Sequence, residues 1–406
     1  MLSVRDFFFY DGGMGTMLQK NGLRPGAIPD IMNIEMPDVV ERIHRMYVDA
    51  GSDIICTNTF GANRRKLKET GCSVSDVISS AVSIAKRAGA GKPLVALDIG
   101  PIGDLMQPMG ILTFDDAYGM FSEQAIAGEK AGADLVAIET MSDLFELRAA
   151  ILAVRENTSL PVFATMTFDK SGRTFTGCAP ECFAVTATAL GAFAIGINCS
   201  LSPDEIFPIA EKIAKYTHLP LIIKPNAGLP RGELSEYDID PDKFARDMAQ
   251  YASLGVKIVG GCCGTTPEYI RRLRDEFSGL SPLTHTPLSG KFICSQSKLI
   301  NLDDIDFNPA PQSGSDDIVD FAVSQAYDGA DIVTVYFPPS HDDVESNILE
   351  IQSLVSAPLY IVSEDAGVLC RAARVTNGVA ALKYTGSGQF MHMDEVQKYG
   401  ALLNYT

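Results

Sequence analysis

The chain has 406 residues, of which 46% are hydrophobic, and a formal net charge of −18. These values describe a globular protein with room for one large domain or for two of unequal size. The negative charge disfavours nucleic acid and anionic membrane surfaces as partners, because both are bound through clustered Lys and Arg. Nine cysteines without framework spacing favour a reducing compartment, and no stretch is long enough to span a bilayer. We therefore expect a cytoplasmic protein.

Short apolar runs alternate with amphipathic segments over residues 1–280, at intervals of roughly 30 residues. The runs cover residues 7–10, 54–56, 94–97, 135–138, 162–166, 193–197, 221–223 and 256–259. Helices are predicted between them, for example one that begins near Pro37 and ends at Gly51. This alternation indicates repeated strand–helix units.

Eight such units in about 280 residues match a (β/α)₈ barrel, or TIM barrel, in number and in length. The runs are apolar throughout, as expected of strands that are buried on both faces. A doubly wound open sheet is the alternative. However, no Gly-x-Gly-x-x-Gly motif follows the first run at the spacing of a dinucleotide-binding fold. The sequence therefore predicts a barrel over residues 1–280.

Three cysteines follow two of the predicted strands. Cys199 comes directly after the sixth run, and Cys262 and Cys263 lie between glycines directly after the eighth. Adjacent cysteines do not readily bond to each other, since bridged Cα atoms are about 5.5 Å apart and neighbouring ones about 3.8 Å apart. Because barrel sites lie at the carboxyl ends of the strands, we expect the three sulfurs to meet at one rim. The alternative is three small buried hydrophobic side chains.

A metal ion with three thiolate ligands is expected to be zinc, and three protein ligands leave the fourth position open, as in catalytic sites. Three thiolates make Zn²⁺ a poor Lewis acid for water. The ion is better suited to binding a substrate thiol, whose pKa it lowers from roughly 8.5 so that a thiolate exists at neutral pH. The expected chemistry is attack of this sulfur on an activated methyl or alkyl group, with the protein supplying position.

The motifs at the predicted strand ends resemble those of the homocysteine S-methyltransferase family. They are Asp11-Gly-Gly-Met-Gly-Thr16, Thr57-Asn-Thr-Phe60, Ile138-Glu-Thr140, Gly196-Ile-Asn-Cys199, Asn226-Ala-Gly228 and Gly260-Gly-Cys-Cys-Gly-Thr-Thr-Pro267. This family includes betaine–homocysteine methyltransferase and the N-terminal homocysteine module of cobalamin-dependent methionine synthase. The resemblance covers residues 1–280 and implies a zinc-dependent barrel that methylates homocysteine to methionine.

The resemblance also implies roles for individual residues. The zinc ligands would be Cys199, Cys262 and Cys263. Glu139 would hold the ammonium group of homocysteine with help from Asp11, and the backbone near Gly15 and Thr16 would receive the carboxylate. Asn226 matches a family loop close to the metal, although an Asn before Ala-Gly is also an ordinary turn former.

The remainder of the chain has a different character. Residues 281–290 are rich in Pro, Thr and Ser and indicate a linker. Residues 291–406 carry six Lys and Arg against sixteen Asp and Glu. A helix at 318–327 and strands at 332–336 and 359–362 predict a small, incomplete α/β segment. This segment resembles a truncated form of the pterin-binding domain that follows the homocysteine module in cobalamin-dependent methionine synthase.

The sequence leaves the methyl donor and the oligomeric state open. The C-terminal resemblance favours a methylated corrinoid protein, carrying methylcobalamin and supplied in trans. S-methylmethionine or a betaine-type compound is the alternative donor, and another small thiol or selenol is the alternative acceptor. A hypothesis of another class is a catalytically silent zinc- or thiol-binding scaffold barrel, whose acidic C-terminal segment binds a partner.

Overall fold

A computed structural model describes residues 6–231, 236–307, 309, 317–387, 390 and 392–403. Its strands up to residue 260 are β1 (Phe8–Phe9), β2 (Ile54–Cys56), β3 (Leu94–Ile99), β4 (Leu135–Met141), β5 (Val162–Met166), β6 (Ala194–Asn198), β7 (Leu221–Lys224), β8 (Pro230–Arg231), β9 (Glu236–Tyr237) and β10 (Ile258–Val259). The α-helices of this part are α1 (Met14–Lys20), α2 (Met32–Glu35), α3 (Pro37–Ala50), α4 (Val74–Gly89), α5 (Phe114–Ala131), α6 (Leu144–Asn157), α7 (Pro180–Ala189), α8 (Pro203–Ala214), α9 (Pro241–Ala249) and α10 (Pro267–Glu276).

Eight of these strands form one parallel sheet, in the order β1-β10-β7-β6-β5-β4-β3-β2. Tyr10 forms a parallel bridge with Ile54, and the N–H of Asp11 donates to the carbonyl oxygen of Ile54 at 3.0 Å. The bridge joins the two ends of the order, so the sheet closes on itself. The predicted (β/α)₈ barrel is confirmed, with β10 as its eighth strand and β8 and β9 as a short antiparallel hairpin outside it.

The interior of the barrel is filled by side chains. Phe8, Ile54, Phe163 and Ile258 belong to one buried cluster inside it, and the ring of Phe163 stacks on Phe193 with centroids 5.5 Å apart. A larger cluster lies between the strands and the surrounding helices. The barrel is therefore a packed core, and a ligand must bind at the ends of the strands.

Most predicted elements lie within one or two residues of the observed ones. Helix α3 begins at Pro37, and Gly51 follows it with φ 103°, a left-handed conformation that glycine adopts without strain. The eighth strand is shorter than the predicted run 256–259. It ends before Gly260, where an added Cβ would lie 2.6 Å from the Cβ of Tyr10. The chain therefore leaves the sheet in close contact with the first strand.

The C-terminal part forms separate sheets. They consist of an antiparallel pair, β11 (Phe292–Cys294) and β12 (Leu299–Asn301), and four parallel strands, β13 (Val333–Phe337), β14 (Leu359–Ser363), β15 (Ala381–Tyr384) and β16 (Leu402–Leu403). The helices are α11 (Ile318–Tyr327), α12 (Val344–Leu354), α13 (Ala366–Val375) and α14 (Met393–Lys398). The expected incomplete α/β segment is confirmed, with two parallel strands beyond those predicted individually.

One buried arginine of the barrel holds this segment in place. Arg148 on α6 is 1% exposed, and its guanidinium donates to backbone carbonyl oxygens of Ala373, Arg374, Gly378 and Tyr399. Two of these carbonyls belong to the last turn of α13, where helix carbonyls have no partner within the helix.

None of the described helices is both long and apolar enough to cross a membrane.

Candidate metal and substrate site

Cys199, Cys262 and Cys263 meet at the carboxyl ends of β6 and β10. Their sulfurs all lie within 4.8 Å of one another, and the Sγ atoms of Cys199 and Cys263 are 3.8 Å apart. Two sulfurs bound to one tetrahedral ion at about 2.3 Å are themselves separated by about 3.8 Å. The trio therefore has the spacing of a thiolate metal site, and the donor set fits zinc.

Strand β7 lies between the two cysteine loops and sets their separation. The N–H of Cys199 donates to the carbonyl oxygen of Lys224 at 3.0 Å, and the N–H of Cys262 donates to that of Pro225 at 2.8 Å. Cys199 has φ 63°, a left-handed conformation that costs a residue other than glycine about 1 kcal/mol or more. The surrounding hydrogen bonds compensate for this strain and aim the side chain at the other two sulfurs.

Asn226 lies behind the loop that carries Cys262 and Cys263. Its Oδ1 accepts a hydrogen bond from the N–H of Cys263 at 3.1 Å, so it positions this cysteine through the backbone. Gly261 is required in the same loop, since an added Cβ would lie 2.2 Å from Oγ1 of Thr265. The glycines around the cysteine pair thus allow close packing of the loop on itself.

The three thiols differ in how readily they lose a proton. Contacts with Cys262 and Cys263 lower the pKa of Cys199, and the contact with Cys199 raises the pKa of Cys262. The cluster therefore favours one thiolate at a time, because three thiolates at this spacing repel one another. A dication among them would offset the repulsion, and binding it would release the remaining protons.

A cavity of about 540 Å³ opens beside the cysteines. The sequence-predicted residues that line it are Asp11, Gly15, Thr16, Glu139, Cys199, Cys262 and Cys263. An added Cβ at Gly15 would meet no atom within 4 Å, so this backbone faces open space. The hydroxyl of Thr16 accepts from the N–H of Gly264 at 3.0 Å, which fixes α1 to the cysteine loop.

The model of the family described as homocysteine S-methyltransferase matches residues 8–277. The chain belongs to this family. It is 33% identical over 287 residues to methionine synthase from Mycobacterium leprae and 33% identical over 285 residues to methionine synthase from Mycobacterium tuberculosis. Each match covers 65% of this chain and 24% of the relative, so the chain spans about a quarter of the length of the curated relatives it matches.

Solved structures agree with the fold. The metallated form of the homocysteine methyltransferase MmuM from Escherichia coli superposes with a TM-score of 0.57 at 22% identity, covering 67% of this chain and 96% of that one. Its oxidized form gives the same TM-score at 24% identity. The family indicated by the motifs is confirmed.

The sequence reasoning missed a buried lysine in this family member. Lys224 ends β7, and its Nζ lies 2.5 Å from Oε2 of Glu139 and 4.3 Å from the centre of the Tyr10 ring. Its charge is thus held between a carboxylate and an aromatic face. A lysine that directly follows the apolar run 221–223 is a weak signal, since strand ends commonly carry polar residues.

A second missed residue is Asp98, at the end of β3. Its Oδ1 is buried on the cavity wall and has no hydrogen-bond partner among the described residues. Burial raises the pKa of Asp98, and the negative charge of the Glu139 carboxylate raises it further. Burial also raises the pKa of Asp11 to about 7, and Oδ2 of Asp11 accepts from the N–H of Cys56 at 2.8 Å. Three acidic side chains thus face one lysine, which leaves this wall ready to bind a further cation.

Asn198, next to Cys199, connects the end of β6 to the end of β4. Its Oδ1 accepts from the N–H of Thr140 at 2.7 Å, and its Nδ2 donates to the Thr140 hydroxyl at 2.7 Å. These two bonds hold Thr140 at φ 62°, which is unfavourable for a β-branched residue. Asn198 therefore fixes the backbone next to Glu139. The resemblance included this asparagine within a motif without giving it a role.

Proposed function

We propose that this protein binds zinc through Cys199, Cys262 and Cys263 and transfers a methyl group to the sulfur of homocysteine, which gives methionine. The observation that carries the proposal is the close approach of the three sulfurs, all within 4.8 Å of one another, beside a cavity lined by acidic side chains. When bound, zinc lowers the pKa of a substrate thiol and keeps the thiolate nucleophilic. A sulfur–carbon bond then forms as the bond between the methyl carbon and its donor breaks.

The cavity wall supplies the groups that bind the amino acid part of homocysteine. Glu139 and Asp11 pair with the substrate ammonium, and Asp98 offers it a carboxylate oxygen that has no partner among the described residues. The substrate carboxylate lies against the backbone of Gly15 and Thr16, at the start of α1. Binding at both ends of the substrate leaves its thiol directed at the cysteines, so the chain contributes chiefly orientation.

The preferred donor is a methylated corrinoid protein supplied in trans. Apolar side chains are exposed on loops that leave the barrel at the site's own face. Ile111 is 70% exposed after β3, Phe175 is 76% exposed after β5, and Leu229 is 55% exposed after β7. Exposed apolar groups around a cavity mouth suit the docking of another protein. A small donor such as S-methylmethionine or a betaine-type compound needs no such surface.

The test combines metal analysis with a donor comparison. Zinc-loaded protein is incubated with homocysteine and, in separate reactions, a methylated corrinoid protein, S-methylmethionine or glycine betaine, and methionine is measured by mass spectrometry. We expect methionine with the corrinoid protein. Cys262→Ala should lose the zinc of the barrel site and form no methionine. Cys56→Ala, which changes a cavity cysteine outside the trio, should keep the zinc.

The outcomes separate the alternatives. Methionine from a small donor alone would keep the acceptor and replace the corrinoid protein as donor. If the protein binds zinc and homocysteine but no donor yields methionine, the scaffold hypothesis replaces the catalytic one. Equal zinc content in Cys262→Ala and Cys56→Ala would overturn the assignment of the metal ligands.

A further inference from the structure

A second cluster of metal-binding side chains lies in the C-terminal part, outside the barrel site. Cys370 is on α13, and His392 and Glu395 are at the start of α14. Their ligand atoms all lie within 4.8 Å of one another, beside a cavity of about 370 Å³. We propose that these three residues form a second metal site, which binds Zn²⁺ or a similar divalent d-block cation.

The three donors suit zinc chemically and by charge. A thiolate, an imidazole and a carboxylate are all zinc ligands in proteins, and together they carry the two negative charges that neutralise the ion. The Nδ1 of His392 lies 2.8 Å from Oε2 of Glu395, whereas two such ligands on a tetrahedral ion are about 3.4 Å apart. Both side chains are about half exposed, so a small rotation of either one admits the ion.

The other charged groups around this cavity are engaged elsewhere. Arg371 donates to the backbone carbonyl oxygen of Asp342. Arg374 pairs with Asp115 at 3.0 Å. The carboxylate of Asp365 accepts the N–H groups of the first turn of α13. The two arginines are therefore directed at partners outside the cluster, and the thiol, the imidazole and the Glu395 carboxylate are left to face one another.

Cys370 is buried on α13, and its sulfur lies within 4.8 Å of the ligand atoms of His392 and Glu395. A bound metal would take the place of the thiol proton, which is the usual exchange at thiolate sites. It would also join α14 to α13, close to the carbonyl oxygen of Tyr399 that accepts from Arg148. Metal binding would thus stabilise the packing of the segment on the barrel.

The alternative is an ordinary ion pair between His392 and Glu395 at the start of a helix, with Cys370 as a buried small side chain. Zinc content distinguishes the two. Full-length protein is loaded with zinc, dialysed and analysed by inductively coupled plasma mass spectrometry. We expect two equivalents in the wild-type protein, one in Cys262→Ala, one in Cys370→Ser and none in the double variant. Cys72→Ser, a change of a partly exposed barrel cysteine, should retain two.

His392→Ala provides a second variant in case Cys370→Ser does not fold, because His392 is exposed. It should lose the same equivalent and show a smaller zinc-dependent rise in melting temperature than the wild-type protein, because a ligand of the native state stabilises it by mass action. The proposal is overturned if Cys262→Ala and the double variant hold equal zinc, or if His392→Ala keeps two equivalents. Either result leaves the barrel site untouched, so the two proposals fail separately.

Discussion

Lys224 lies with its Nζ 2.5 Å from Oε2 of Glu139, inside a barrel mouth that also contains Asp11 and Asp98. The pair is almost fully buried, with side-chain exposures of 5% and 12%. A buried lysine without a partner would cost several kcal/mol. The lysine thus holds Glu139 in place, and Asp11 and Asp98 are left to pair with the ammonium group of the proposed substrate.

Lys224→Met should shift the pH dependence of catalysis. Burial raises the pKa of Asp11 to about 7, and the charge of Lys224 lowers it. Asp11 must be ionised to pair with the substrate ammonium, so kcat/KM for homocysteine should rise with pH through this region. Without the lysine, the rise should move to higher pH. Lys66→Met, which removes a cavity lysine bonded to the carbonyl oxygen of Pro101, should leave its position unchanged. Equal profiles for all three proteins would contradict this role.

Asp98→Asn should weaken substrate binding more than it slows turnover. The buried Oδ1 of Asp98 has no partner among the described residues, and an ionic hydrogen bond from the substrate ammonium is worth about 1.5–3 kcal/mol. We expect KM for homocysteine to rise about 10- to 100-fold with a smaller change in kcat. Asp30→Asn is the matched control, because its carboxylate already accepts from the N–H of Gly61.

Proton release provides a second measurement on Asp98. Burial and Glu139 raise its pKa, so a bound ammonium group should displace a proton from it. Calorimetry with methionine, which has no thiol to deprotonate, in buffers of different ionisation enthalpy reports this proton. The Asp98→Asn variant should release fewer protons than the wild-type protein. An identical buffer dependence in the two proteins would rule out Asp98 as the source.

Glu146→Gln should stabilise the protein at alkaline pH. Burial raises the pKa of Glu146 from 4.5 to about 7, so between these values the native state binds more protons than the unfolded state. The wild-type free energy of unfolding must therefore fall as pH rises through this interval. Glu146→Gln removes this loss. At pH values above about 7, we expect the free energy of unfolding of the variant to exceed that of the wild-type protein by about 1–3 kcal/mol.

Thermal melts on the acidic and alkaline sides of this interval test the Glu146 prediction. The wild-type carboxylate accepts from the N–H of Ile102 at 2.8 Å. The amide oxygen introduced by Glu146→Gln can accept the same hydrogen bond, so the variant keeps it. Glu123→Gln removes a carboxylate from a surface pair with Arg64 and should show the wild-type pH dependence. A gain of the same size at both pH values would mean that ionisation of Glu146 is not the cause.

Arg148→Met should loosen the C-terminal segment and leave the barrel folded. The substitution removes a donor from four backbone carbonyl oxygens, and a buried group left unsatisfied costs about 1–3 kcal/mol. We expect faster proteolysis within residues 291–403 and a separate low-temperature transition in calorimetry. Arg155→Met, on the same helix, removes a bond to the carbonyl oxygen of Leu190 within the barrel. It should behave like the wild-type protein.

The amino-acid sequence by itself determined the barrel and the family. Parallel strands buried on both faces are encoded as continuous apolar runs, so their number and order can be counted directly. The pair Cys262 and Cys263 between glycines is also a local pattern. Barrel topology alone then predicts that Cys199 should approach it, because every strand of the sheet ends at the same rim.

Tertiary structure alone decided which polar groups face one another. Lys224 and Glu139 are 85 positions apart, and Arg148 is more than 220 positions from each carbonyl it binds. Cys370 and His392 likewise meet only through the packing of two helices. Such pairs have no local signature, since each residue by itself is an ordinary strand-end or helix residue. Their chemical properties come from their short separation in the folded protein and from their burial, and neither can be read from the sequence around each residue.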